Sequence, residues 1–175
     1  MPAPDVQLFG QHRDHPQARE LGEHVHRMVF AYATQVVAAY RLCPFLHNVE
    51  TGMGAVGVVL DREPDIETGV AAIEALGANV VHLVYPLVGA EASPFERFGN
   101  RLSEAVRKRL RAPLVHATFH PALVGGTDSP HRLVGLLRQA PDAFVQFIPP
   151  GLQQGGTVLA GSAPPSEGHA EERFT

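Results

Sequence analysis

The chain has 175 residues, of which 45% are hydrophobic, with 14 Lys and Arg against 18 Asp and Glu and a formal net charge of −4. That length fits one domain around one core, and no apolar run reaches the ~18 residues that a membrane span needs. The basic residues are scattered, which argues against a nucleic-acid-binding face, and no secretory leader is expected at the N-terminus. The single cysteine, Cys43, cannot form an internal disulfide, so a reducing, cytoplasmic compartment is expected. Zinc fingers need more cysteines at short spacing. Most of the ten histidines lie outside apolar patterns and read as solvated.

Residues 1–20 are rich in Pro, His and charge and read as a flexible arm. Leu21, Val25, Met28, Val29, Tyr32, Val36 and Tyr40 recur at three- and four-residue steps, predicting a long N-terminal helix over 21–42 that ends before Pro44. A β-branched run predicts a strand at 55–60. A helix over 65–76 follows, stopped by Gly77, then a strand at 80–84 stopped by Pro86. The next helix, 94–110, has Ser93 as cap, Pro94 in its first turn and Arg107, Lys108 and Arg109 at its C-terminus. A strand at 114–119, a Gly-rich loop at 124–129, a helix at 130–139 and a strand at 143–148 complete the pattern. Residues 151–175 are rich in Gly, Pro, Ser and Glu and read as a disordered tail.

Alternating strands and helices point to a small α/β domain over 21–150: a mostly parallel sheet of three to four strands packed with helices. Two connections, 55–84 and 80–119, are long enough for right-handed parallel crossovers.

Reactive groups concentrate at two places. One is Leu42-Cys43-Pro44-Phe45-Leu46-His47, after the first helix; the other is Phe119-His120-Pro121, after an apolar strand. The stripe of the first helix, continued, turns the Cys43 thiol toward the core, where a cysteine is equally a small hydrophobe. A helix C-terminus opposes thiolate formation, so chemistry at Cys43 requires a bound metal, a haem iron or a cation such as Arg41 or Arg138. His116 and His120 share a strand face, but their backbones lie ~13 Å apart at the usual strand rise, too far to hold one metal. His120 is the better placed, at the carboxyl end of its strand. His131 opens a helix beside the glycine loop, where free amides can hold an anion.

Cys43-Pro44-Phe45 after an amphipathic helix, Phe119-His120-Pro121 after a strand, then Ser129-Pro130 and Leu136-Leu137-Arg138, resemble the bacterial domain-of-unknown-function family fourteen-fifteen over residues 21–150. The chain departs from that pattern where His131 replaces a tyrosine and Gly135 a histidine, and between Gly126 and Ser129, where it is shorter. The resemblance implies functional weight for Cys43, His120, Ser129, Pro130 and Arg138. It implies no reaction.

These readings predict a buried metal- or haem-binding enzyme or redox protein. Cys43, His120 and His116 are the candidate metal ligands, His131 helps to line the cofactor site, and Arg138 contacts an anionic substrate or a haem propionate. Two alternatives stand beside it. One is a metal-free thiol enzyme with Cys43 as nucleophile and His120 as base. The other is a structural module in which Cys43 packs and His120 fastens a loop, the long helix at 94–111 serving a partner or a homodimer. The expected partner is a small-molecule ligand or cofactor, with neither nucleic acid nor membrane involved.

Overall fold

The structure is a computed structural model that describes residues 6–33, 35, 54–111, 114–125, 128–129, 132 and 138–149. Its elements are β1 (Gln7–Phe9), α1 (Ala18–Tyr32), β2 (Ala55–Val59), α2 (Ile66–Leu76), β3 (Val81–Tyr85), α3 (Ala92–Arg109), β4 (Val115–Phe119) and β5 (Ala143–Ile148). The strands form one five-stranded sheet in the order β1-β2-β3-β5-β4. β1–β2 and β2–β3 pair parallel; β3–β5 and β4–β5 pair antiparallel. β1 to β4 therefore run the same way and end at one edge, and β5 is threaded backwards between β3 and β4.

The α/β class holds, but the sheet is mixed rather than mostly parallel, and it has five strands instead of three or four. The cause is β5. It reads as a strand, but nothing local says that it enters between two earlier strands. The fifth strand comes from the stretch taken as an arm, where Gln7–Phe9 pairs with Gly57–Val59.

The expected long first helix is shown only as the 15 residues Ala18–Tyr32; most of the remainder to Leu42 lies outside the described residues. Its buried stripe is Ala18, Gly22, Val25, Val29 and Tyr32, while Met28 is exposed. α2 starts where its cap requires, since Asp65 Oδ2 accepts the Thr68 amide at 2.9 Å and the Thr68 hydroxyl at 3.0 Å. α3 starts at Ala92 with Glu91 in the cap position, two residues before the expected start. Among the described residues no helix is long and apolar enough to cross a membrane.

The sheet buries both faces, which explains why β3 and β5 read as near-continuous apolar runs, broken at His82 and Gln146. Val56, Val58, Val84, Ala117, Phe119, Phe144 and Ile148 pack under α1. Val59, Val81, Leu83, Tyr85, Val145 and Phe147 pack under α2 and α3. Period-two alternation thus sends neighbouring residues of each strand to opposite sides of the molecule.

Candidate functional site

The last residues of α1 and of β4 meet. Tyr32 lies edge-on to Phe119 at 6.1 Å and to Phe144 at 6.0 Å, and the Phe119 and Phe144 rings stack at 4.2 Å. The Arg138 guanidinium stands 5.8 Å above the Phe119 ring, a cation–π geometry. The Arg138 carbonyl accepts the His120 amide, which binds this segment to the end of β4. Arg138 Nε is shut off from solvent. Burial lowers the pKa of Arg138 to about 10, against the pull of Tyr32 and Glu96, so it remains a cation at neutral pH. Burial raises the Tyr32 pKa and keeps its hydroxyl protonated.

His116 and His120 do share a face, as their spacing requires, but it is the α3 face, and each ring has its own partners. His116 Nε2 lies 2.9 Å from Asn100 Oδ1 of α3, and its ring packs on Phe147. Burial, with the nearby charges of Arg138 and Arg107, pushes its pKa down to about 4. It is therefore neutral, and those same charges oppose a metal cation beside it. His120 Nδ1 accepts the Ala122 amide at 2.9 Å, which puts the ring proton on Nε2, donated to the Gly89 carbonyl at 3.2 Å. Its ring rests 5.9 Å from Phe95 of α3. Both nitrogens of His120 are thus engaged with backbone, so it clamps the turn after β4 to the loop after β3.

These bonds do not fit His116 and His120 as metal ligands: the lone pair of His120 is taken by an amide, and His116 sits in a cationic field. Nor is His120 arranged as a free general base. Among the described residues no group of three or more His, Cys, Asp or Glu side chains has the spacing of a metal site. Cys43, Pro130, His131 and the helix expected over 130–139, apart from Arg132, Arg138 and Gln139, lie outside the described residues. Ser129 accepts the Arg132 amide at 3.3 Å, as a helix cap does.

The sequence reading overlooked two groups. His82 and Gln146 face each other across β3 and β5, each 2% exposed, with Gln146 Nε2 3.1 Å from His82 Nε2. The His82 ring lies 5.7 Å from Phe144, so the pair adjoins the aromatic stack under α1. A polar residue inside each of two apolar strand runs was the available signal, because buried polar groups need partners. The second group, His12 and His15 in the supposed arm, lies beside a cleft at the other end of the sheet. Comparison of the chain with protein-family models, with curated proteins and with solved structures found no match. The family resemblance accordingly rests on the three motifs.

Proposed function

We propose that the protein binds a small molecule carrying a carboxylate where α1 meets β4, with Arg138 as the cationic contact and the Cys43 thiol as the reactive group. The observation that carries this reading is the placement of Arg138. Its guanidinium stands over the Phe119 ring at the carboxyl end of β4, where it can receive a carboxylate in a charge-assisted contact. The location supports the reading too, since α/β sheets bind ligands at the carboxyl ends of their strands. Cys43 follows Tyr32 by eleven positions in the chain, and Arg138 is the cation that would favour its thiolate. In this reading His120 and His116 are positioning residues. A haem propionate and a free dicarboxylate present the same anionic chemistry to Arg138.

Two titrations separate those sources: succinate followed by calorimetry, and haem followed by its absorption band. One probe is expected to bind wild-type protein, and Arg138→Met weakens it on the order of tenfold or more, as expected for loss of a charge-assisted contact. Haem as the true source predicts a band altered by Cys43→Ser, whereas succinate binding survives that change. Tyr32→Phe keeps the packing and serves as a second variant should Arg138→Met fail to fold. Binding of neither probe, or binding indifferent to Arg138→Met, overturns the proposal.

A further inference from the structure

The loop between β1 and α1 is fastened to the end of β2. Gly10 turns at φ 96°, and a Cβ there would fall 2.9 Å from Asp61 Oδ1 and from the Leu60 backbone, so only glycine fits. The buried Asp61 carboxylate accepts the Gln11 amide at 2.7 Å, and the His12 amide donates to the Leu60 carbonyl at 3.2 Å. The His15 amide then donates to the His12 carbonyl, and the Gln17 amide donates to His15 Nδ1. Two imidazoles are thereby carried on a pinned turn instead of a loose arm.

This turn, the first half of α1 and the segment after β2 enclose a cleft of about 640 Å³. Leu21, Leu60 and Leu87 belong to its apolar lining. Its polar lining is one-sided: His12, His15, His24, Arg27 and Arg62, against Glu20 as the acid in the described lining. Asp142, at the start of β5, is close enough for His24 to act on its charge. Neither Arg27 nor Arg62 belongs to an ion pair among the described residues. The cleft opens at the carboxyl ends of β1 and β2, the edge at which open α/β sheets bind ligands. Gln17 and Ala18, at the positive end of the α1 dipole, complete the wall.

We propose that this cleft binds a phosphorylated small molecule, with Arg27 and Arg62 gripping the phosphate and the histidines completing its hydrogen bonds. A phosphate has the charge and the several acceptor oxygens that two guanidinium forks and three imidazoles can satisfy together, and the leucines of the lining take the carbon body. Arg138 belongs to a different place. The cleft sits at the β1–β2 end of the sheet and Arg138 at the β4 edge, roughly 15 Å away at the usual strand spacing.

Inorganic pyrophosphate titrated calorimetrically at low salt is the test. Wild-type protein is expected to bind it, and the exposed double variant Arg27→Gln/Arg62→Gln weakens it on the order of tenfold or more. Arg97→Gln/Arg101→Gln, on the exposed face of α3, leaves binding unchanged. No binding, or equal weakening by both double variants, overturns the proposal, because diffuse surface charge would then account for the data.

Discussion

Replacing His116 by glutamine tests whether this ring is a buried neutral clamp. Glutamine retains a donor for Asn100 but cannot titrate. In the folded chain burial and two guanidinium charges hold the His116 pKa at about 4, below its ordinary value of 6.5. The sign follows from proton uptake. Between those values the unfolded chain binds the proton and the folded chain does not, so stability is complete above the higher value and declines as pH falls toward the lower one. From pH 7 to pH 5 the loss from this one ring is about 2 kcal/mol. His26, also lowered by burial, adds to the decline, whereas Asp142, whose pKa burial raises, opposes it. Neither is altered by the substitution, so the difference between wild type and variant isolates His116. Urea unfolding followed by far-ultraviolet circular dichroism at both pH values measures that difference. The gap between the two proteins is expected to shift by about 2 kcal/mol in the variant's favour on going to pH 5. An NMR titration placing the His116 ring near its ordinary pKa, or an unchanged gap, would refute the reasoning.

His120→Ala removes both ring bonds to backbone and leaves the Ala122 amide and the Gly89 carbonyl without that partner, so a loss of about 3 kcal/mol in urea unfolding is expected. Hydrogen exchange at the Ala122 amide should accelerate in the same variant, and an unperturbed amide would count against the clamp. Tyr85→Phe is expected to leave stability unchanged or raise it by about 1 kcal/mol, because the buried Tyr85 hydroxyl has no hydrogen-bond partner among the described residues. A clear drop in melting temperature would show that this hydroxyl contributes a bond.

Local pattern was enough to place most elements. β2, α2, β3, α3, β4 and β5 lie within two residues of where periodicity, prolines and caps put them, because each of those signals acts through a few neighbouring residues. α1 was legible as a helix, though its stripe runs through Ala18 and Gly22 instead of Met28. β1 was not legible: three residues cannot display a period, and they become a strand only by pairing with β2.

The two motif ends behaved differently. The Cys43 end of the first helix lies outside the described residues, which show Tyr32 on Phe119, with Arg138 above the same ring. Residue identity alone marked His116, His120 and Arg138 as chemically interesting. What the imidazoles do was decided by neighbours far along the chain: Asn100 for His116, and Gly89 for His120. Sequence by itself settled where the chain helps itself to helix or strand and which side chains alternate, since those depend on backbone sterics and short-range spacing. Tertiary structure decided the insertion of β5 between β3 and β4, the sharing of Arg138 and Phe119, and the two sides to which adjacent residues Phe119 and His120 are sent. The physical reason is that burial, hydrogen-bond partners and electrostatic fields come from through-space neighbours, which no local window of residues contains.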